Sequence, residues 1–235
     1  MSDEIVKPLT KGINYYTDNR LDPKIMKACQ EQLLKAAKDI PIVSVSLKPI
    51  DFGRNIVLPL ERGYLTMFQQ TLAGLEALDC DIVYFCEHDV LYPECHFDFI
   101  PPTKDSYYYN VNAWQVRVTD GHAAFWDCCR LNEICAYREL LLEHYKRRVA
   151  KVIADGKYHT RMGFEPGSHK RSERVDDNHA VKWFSEVPIL DLKHEGNLTA
   201  TRWSPEEFKS QRSCRGWKET NAREIPGWDF GGLDL

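Results

Sequence analysis

The sequence predicts an α/β protein in which helices flank a mostly parallel β-sheet. Between residues 12 and 86, β-rich segments and amphipathic helical segments alternate in the order β-α-β-α-β. This order is typical of parallel strands joined by helical crossovers. The continuous apolar run at residues 82–86 adds support, because such a run indicates a strand buried on both faces of the sheet.

The elements of the N-terminal half are assigned from periodicity and from turn residues. Residues 12–16 predict a first strand, and residues 22–39 predict a helix with Asp22 at its N-cap and Pro23 in its first turn. Residues 41–47 alternate in polarity and predict a second strand. Residues 48–63 contain several Pro and Gly and predict a loop. Residues 64–78 predict a second helix, which leads into the strand at residues 82–86.

The C-terminal half has a more mixed pattern. Residues 106–118 are aromatic and β-prone, and the long segment 131–156 predicts a helix that ends at Gly156. Residues 157–175 predict a loop, residues 176–186 a short helix and residues 187–193 a last strand. Ser204, Pro205 and Glu207 predict the start of another helix with a capping box. We therefore expect one domain over residues 1–203, extended by a helix and tail over residues 204–235 that is a candidate lid.

Composition limits the function classes. Hydrophobic residues make up 43% of the 235 residues, which excludes global disorder. The formal net charge of −4 argues against a nucleic-acid binder that uses its whole surface. No apolar run approaches the roughly 18 residues of a membrane span, and the first ten residues lack the apolar core of a secretory signal. None of the eight cysteines forms a CxxC pair. These features predict a reduced, cytoplasmic protein without a thiolate zinc site.

Polar side chains follow three neighbouring strands of the predicted sheet. Ligands of open parallel sheets bind beyond the carboxyl ends of the strands, so these side chains are candidates for a binding site. Carboxylates and imidazoles suit a divalent ion such as Mg²⁺ or Mn²⁺. Such an ion binds a diphosphate and neutralises the charge of a leaving group. The side chains are Thr17, Asp18 and Asn19 after the first strand, Lys48 after the second, and Glu87, His88 and Asp89 after the third.

The acidic motif Glu87-His88-Asp89 resembles the metal-binding motif of GT-A glycosyltransferases, which use nucleotide sugars. The resemblance covers roughly residues 11–203, and within this class the sequence resembles the family-two enzymes. It implies that Mn²⁺ or Mg²⁺ is held by Asp89 and by His194, which lies beyond the last strand as a further ligand does in that class. Glu87 stands where the class usually has Asp, which makes it a second metal ligand or a contact to the donor sugar.

The resemblance also implies other site residues. Asp176 and Asp177 match an acidic pair that faces the acceptor in inverting GT-A enzymes, which makes one of them the candidate general base. A donor site is implied at Tyr16, Thr17, Asp18, Lys48, Asn55, Tyr64, Gln69, Glu87 and His88. Inversion and retention both stay open. The plain alternative for the acidic pair is a role as N-cap and first-turn acids of the predicted helix.

The function predicted by this resemblance is metal-dependent transfer of a sugar from a nucleoside-diphosphate sugar, most simply a UDP-sugar, to an acceptor hydroxyl. The acceptor is a glycan, a protein or DNA with a hydroxylated base. The DNA option depends on a basic run between His144 and Arg174, with nine Lys and Arg against three acidic residues. Such a run is more often a solvated helix face.

Two other classes are alternatives. A nucleotidyltransferase has a similar sheet, but it usually carries a Gly-rich, basic phosphate loop after the first strand, and this sequence lacks one. A non-catalytic module that binds an anionic partner or nucleic acid through the basic run predicts that metal and nucleotide have no effect.

Overall fold

The computed structural model describes residues 8–170 and 172–229 and confirms a mixed α/β fold in which a large, mostly parallel sheet is flanked by helices. The first part of the chain forms β1 (Lys11–Thr17), α1 (Pro23–Ala37), β2 (Ile42–Ser46), β3 (Arg54–Val57), α2 (Tyr64–Ala77), β4 (Ile82–Glu87), β5 (Val90–Leu91) and α3 (Glu94–Asp98). The second part forms β6 (Ser106–Asn110), β7 (Ala113–Arg117), β8 (His122–Phe125), β9 (Ile134–Tyr137), α4 (Arg138–Ala154), β10 (His179–Trp183), β11 (Ile189–Lys193) and β12 (Lys218–Asn221).

The larger sheet has the strand order β10-β6-β9-β4-β1-β2-β3. Six of its strands run parallel, whereas β9 is antiparallel to both of its neighbours, β4 and β6. Residues Lys11 to Thr17 of β1 are almost entirely buried because β1 lies between β4 and β2 with helices on both faces. The carboxyl ends of β1, β2 and β4 therefore meet at one edge of the sheet.

A second sheet of five strands has the order β12-β8-β7-β11-β5. Strand β5 follows β4 after two residues and pairs with β11, so the end of β4 connects the two sheets. Ala222 and Ile225, which follow β12, pack against Leu91, Leu190 and Val116 in one apolar cluster. The described part of the C-terminal extension is thus packed onto this sheet, and its function as a lid stays a prediction.

Several predicted elements agree with the structure. Asp22 is the N-cap of α1, where its Oδ1 accepts a hydrogen bond from the Lys24 amide at 2.8 Å. The helix buries Cys29 and Leu33 as its periodicity predicts. Gly156 follows the end of α4 with a φ of +72°, the left-handed conformation that favours glycine after a helix.

Four predictions of secondary structure were wrong. The loop predicted at residues 48–63 contains the edge strand β3, and the helix predicted at residues 131–156 begins with a short 3₁₀ turn and strand β9. The apolar residue Ile134, assigned to the helix stripe, lies in β9 instead. A short β-rich run that leads directly into an amphipathic helix is hard to separate from it by periodicity.

The other two wrong predictions lie near the C-terminus. Residues 176–186 form strand β10 instead of a short helix. Pro205–Glu207 is a single 3₁₀ turn whose N-cap, Ser204, makes no capping hydrogen bond through its side chain. Its Glu207 side chain still accepts a bond from the Trp203 amide at 2.8 Å. The local signals for a helix start are present there, but no helix follows.

Helix α2 packs tightly against β1 at Gly74. Asn14 of β1 is fully buried, and its Nδ2 donates a hydrogen bond to the carbonyl of Thr71 at 2.8 Å. A Cβ atom on Gly74 would lie 2.7 Å from Cγ of Asn14 and 3.0 Å from its Nδ2. Only glycine allows this approach, which holds the helix against the strand that leads to the site.

Candidate active site

A pocket opens at the carboxyl ends of β1 and β4, where parallel sheets bind ligands. Strand β1 ends at Thr17 and the following turn presents Asp18, while β4 ends at Glu87 and presents His88 and Asp89. The N-terminal half of α2 closes one side, and the loop after β11 closes another. The residues that line the pocket are Tyr16, Thr17, Asp18, Leu47, Arg62, Gly63, Thr66, Met67, Gln70, Glu87, His88, Asp89, Gly196, Asn197 and Leu198.

Three side chains at this edge form a group with the geometry of a metal site. One ligand atom from each of His88, Asp89 and His194 lies within 4.8 Å of the other two. Among the described residues, both ring nitrogens of His88, Oδ1 of Asp89 and Nε2 of His194 are buried without a hydrogen-bond partner. Buried polar atoms normally have partners, so four such atoms in one place indicate a missing ligand. One carboxylate and two imidazoles are a suitable donor set for a divalent metal ion.

The electrostatics keep Asp89 ionised. Burial alone would raise its pKa, but the neighbouring His88, His194 and Lys193 outweigh burial and lower the pKa below its usual range. Nδ2 of Asn197 donates a hydrogen bond to Oδ2 of Asp89 at 2.7 Å, which leaves Oδ1 free for another ligand. Asp89 is 2% exposed, so solvent screens its negative charge only weakly.

His194 is oriented by its own loop. Its Nδ1 accepts a hydrogen bond from the Gly196 amide at 3.0 Å, which assigns the proton of the neutral ring to Nε2, the nitrogen that faces Asp89 at 3.5 Å. A metal ion at Nε2 needs that lone pair, so it requires the other tautomer and the loss of the Gly196 contact.

Glu87 lies outside the group of three. Its Oε1 accepts a hydrogen bond from the Tyr16 hydroxyl, and Nδ2 of Asn132 lies 3.4 Å from its Oε2. Burial raises the pKa of Glu87 to about 8, and the charges of Asp89 and Asp191 add to this rise. A carboxyl that is protonated near neutral pH suits hydrogen bonding to a hydroxyl-bearing ligand better than metal binding.

The predicted donor residues at the end of β1 and in the turn that follows it all line the pocket. Tyr16 contacts Glu87, and the carbonyl of Thr17 accepts a hydrogen bond from Nε2 of Gln70 at 2.8 Å. Asp18 forms an ion pair with Arg62 at 2.5 Å, and Nη2 of the same Arg62 donates to the Gly196 carbonyl. Arg62 therefore joins the first strand's turn to the loop that carries His194.

Four other predicted donor residues lie differently. Gln69 is half-buried and does not line the pocket, whereas its neighbour Gln70 does. Asn55 is used within the sheet, where its Nδ2 donates to Ser44 Oγ at 2.9 Å. The amide of Lys48 donates to Asn19 in a turn, and Tyr64 packs on Tyr158 with ring centroids 5.1 Å apart. Neither the Lys48 side chain nor the Tyr64 side chain lines the pocket.

The acidic pair Asp176-Asp177 is not brought to this pocket. Asp176 precedes the amino end of β10, whereas Glu87 is at the carboxyl end of the parallel strand β4. Oδ2 of Asp176 accepts hydrogen bonds from the Tyr107 hydroxyl at 2.8 Å and from His144 at 2.5 Å. The side chain of Asp177 is 88% exposed and pairs with Arg174. Asp176 and Asp177 do not begin a helix, because strand β10 forms where the helix was predicted.

A second cavity of about 550 Å³ adjoins the first at Glu87. The sequence analysis does not predict this cavity, because its polar residues come from separate segments of the chain around residues 115, 127–132, 182–193 and 202–212. The available local signal was the polar and charged residues Asp127, Arg130, Asn132 and Glu133, which stand close together in "WDCCRLNE". The polar and charged side chains that line the cavity include Gln115, Asp127, Arg130, Asn132, Lys182, Asp191, Lys193, Arg202 and Arg212.

The basic run between His144 and Arg174 offers less positive charge than its sequence suggests. Arg147 pairs with Glu143 at 2.7 Å, Lys151 with Asp155 at 2.9 Å, and Arg161 with Glu173 at 2.5 Å. Arg174 pairs with Asp177, and Arg148 is 1% exposed. Five of the nine cations are thus paired with a carboxylate or buried, which weakens the case for a nucleic-acid surface there.

Comparisons with known proteins give fold-level information only. No family profile matches the chain, and no curated protein matches its sequence. One similar solved structure is S. aureus TarS 1-349 in complex with UDP-GlcNAc, at 13% sequence identity and a TM-score of 0.43. The match covers 80% of this chain and 60% of the TarS chain. A likeness this distant carries no argument about function, so the function has to be inferred from the site.

In the part of the chain that the structure describes, no helix has the length and apolar character needed to cross a bilayer.

Proposed function

We propose that this protein is a metal-dependent glycosyltransferase that moves a sugar from a nucleoside-diphosphate sugar to an acceptor hydroxyl. The observation that carries the proposal is the buried group His88, Asp89 and His194, with four unpartnered ligand atoms beside a pocket at the carboxyl edge of a parallel sheet. The resemblance of Glu87-His88-Asp89 to the GT-A motif supports the same activity. UDP-sugar is the proposed donor, Mn²⁺ the proposed metal and the cytoplasm the proposed location.

The residues divide the work by position. Thr17, Asp18 and Arg62 line the first pocket and are the proposed contacts of the nucleoside. His88, Asp89 and His194 would hold the ion, which when bound neutralises charge on the diphosphate. Glu87 lines both cavities, so it is placed to hydrogen-bond the sugar between donor and acceptor.

The larger cavity is the proposed acceptor side. Inversion at the anomeric carbon would need a carboxylate there to take the proton of the acceptor hydroxyl. Among described residues that line the cavity, the carboxylates are Glu87, Asp127 and Asp191. The role of Asp176 or Asp177 as that base stays a prediction, and their position beside the amino end of β10 does not favour it.

Calorimetric titration tests the proposal. UDP, GDP, CDP and ADP are titrated into the wild type with Mn²⁺ and with EDTA, and the titrations are repeated with Asp89→Ala. We expect one nucleotide to bind only with metal, and we expect Asp89→Ala to lose that binding. Glu139→Ala serves as the matched control, because the Glu139 side chain is 82% exposed and lies on the far end of α4.

Either of two results would contradict the proposal: no nucleotide binding under any condition, or binding that EDTA and Asp89→Ala leave unchanged. The first would favour a non-catalytic module. If a nucleotide binds as expected, incubation with the matching nucleotide sugar and measurement of nucleoside diphosphate release tests for turnover. Nucleotidyl transfer would instead release pyrophosphate from a nucleoside triphosphate, so the released product separates the two enzyme classes.

A further inference from the structure

The second cavity contains buried polar atoms that the fold does not satisfy. Among the described residues, Nε and Nη2 of Arg130, Oε1 of Gln115 and Oδ1 of Asn132 have no hydrogen-bond partner, and all three residues line this cavity. Leaving a buried polar group unpaired costs about 1–3 kcal/mol, and more when it is charged. Such atoms beside a cavity of about 550 Å³ indicate that a bound molecule completes their hydrogen bonds.

Arg130 is held rigidly. Its Nη1 donates to Oε1 of Glu133 at 2.6 Å, and its amide donates to Oε2 of the same carboxylate at 3.0 Å. The guanidinium lies over the ring of Trp126, 4.7 Å from the ring centroid. The residue is 9% exposed. The donors without partners, Nε–H and Nη2–H, form one edge of the guanidinium, and two parallel N–H groups there match two oxygens of a carboxylate or phosphate.

The charges around the cavity also favour an anion. Lys182 pairs with Asp127 at 2.6 Å and Lys193 with Asp191 at 2.7 Å, so each of these two carboxylates faces a cation. Apart from this ion pair, both oxygens of Asp191 are buried at this cavity without a hydrogen-bond partner among the described residues, and they can accept hydrogen bonds from hydroxyl groups of a bound molecule. Arg202 and Arg212 add two further guanidinium groups at the same cavity. Burial raises the pKa of the Glu133 carboxyl, and its ion pair with Arg130 opposes this rise.

We propose that this cavity binds an acceptor that carries a carboxylate or phosphate, held through both oxygens by the Nε–Nη2 edge of Arg130. Oε1 of Gln115 and Oδ1 of Asn132 accept hydrogen bonds from hydroxyl groups of the same molecule. The description of the ligand as an acceptor rests on the proposed glycosyltransferase function, whereas anion binding at Arg130 does not. A neutral sugar alone would leave the paired N–H edge without a matching anion.

Calorimetry with inorganic phosphate and with acetate tests the proposal. Both anions are titrated in EDTA into the wild type, Arg130→Lys and Asp89→Ala. Lys keeps the charge but loses the two-donor edge. We expect saturable binding of at least one anion to the wild type, at least tenfold weaker binding to Arg130→Lys, and unchanged binding to Asp89→Ala. The preferred anion identifies whether phosphate or carboxylate is the natural group.

No binding of either anion to the wild type, or equal binding to Arg130→Lys, would overturn the proposal. Circular dichroism establishes that the variants are folded. If Arg130→Lys does not fold, Arg202→Gln combined with Arg212→Gln replaces it, with at least threefold weaker binding expected and unchanged binding refuting the anionic cavity. UDP titrated with Mn²⁺ in the same series tests the donor site separately. If none of UDP, GDP, CDP and ADP binds the wild type with Mn²⁺ but the anion still binds, the glycosyltransferase function is contradicted and the anion site stands.

Discussion

Substitution of Gly74 by alanine should destabilise the protein, although alanine is the better helix former. The new Cβ would lie 2.7 Å from Cγ of Asn14, and Asn14 is fully buried in β1. Asn14 would have to move and give up its 2.8 Å hydrogen bond to the Thr71 carbonyl. Overpacking costs about 1–3 kcal/mol and the lost buried hydrogen bond about 1–3 kcal/mol. The helix gains about 1 kcal/mol from alanine, so the net loss is about 3 kcal/mol.

Urea denaturation measures this loss, and a thermal melt should show a Tm lower by roughly 6–12 °C for a chain of this size. Gly63→Ala is the control, because a Cβ at Gly63 meets nothing within 4 Å. We expect the control to lose about 1 kcal/mol or less as an N-cap change. In the double variant Asn14→Ala with Gly74→Ala, the two costs should fall well short of additivity, since removal of Asn14 makes room.

Equal stability of Gly74→Ala and Gly63→Ala would refute the reasoning, and so would additive costs in the double variant. Either result would mean that α2 can shift away from β1 at little expense. The same helix carries Thr66 and Gln70 of the pocket. We therefore also expect Gly74→Ala to weaken nucleotide binding.

Three further predictions concern the site and its support. Burial lowers the pKa of His144 to about 4, so its unfolded form takes up a proton near pH 6.5 and the folded form does not. The free energy of unfolding should therefore fall as the pH drops from about 6.5 to 4. In urea titrations at several pH values, His144→Gln should show up to about 3 kcal/mol less of this pH dependence. An unchanged pH dependence in His144→Gln, or a similar reduction in the exposed His179→Gln, would contradict this. Mn²⁺ at about 100 times its Kd should stabilise the wild type by about 2.7 kcal/mol, measured as a rise in Tm that His194→Ala abolishes; a Tm that does not respond to Mn²⁺ would exclude the metal site. Gln70→Ala should lose about 1–3 kcal/mol of unfolding free energy, because Nε2 of Gln70 donates hydrogen bonds to two buried carbonyls. Gln69→Ala should change it by less than about 0.5 kcal/mol. Equal effects of the two substitutions in denaturant unfolding would contradict this prediction.

The parts of the fold that the sequence predicts well are those with an uninterrupted local signal. The parallel core of β1, β2 and β4 follows from apolar runs with clear periods, and α1 follows from Asp22, Pro23 and the spacing of Cys29 and Leu33. Strand β10 is half exposed at the edge of its sheet, so its residues lack the apolar alternation that identifies a strand. Strand β9 was missed because it passes directly into α4, and the two periods overlap at Ile134.

The site was predictable only where residues are adjacent in sequence to a buried strand. Glu87, His88 and Asp89 follow β4 directly, so their position was clear, and His194 follows β11 in the same way. The choice between Gln69 and Gln70 depends on the rotation of α2 against the sheet, which the Gly74–Asn14 contact fixes and which no local pattern reveals. Arg130, Gln115 and Asp191 come from three distant segments, so only the tertiary structure brings them to one cavity.

The pairing of β12 with β8 has a consequence for synthesis of the chain. About 90 residues separate the two strands, which is roughly 5–20 s of translation at the usual rates. During that interval β8 has an unpaired edge. The apolar side chains of Leu91 and Leu190 also lack their packing contacts with Ala222 and Ile225. Strand β11, which leads to His194, belongs to the same unfinished sheet. The sheet that positions His194 is therefore completed only after β12 has been synthesised, and chaperone dependence of the nascent chain should concentrate in this interval.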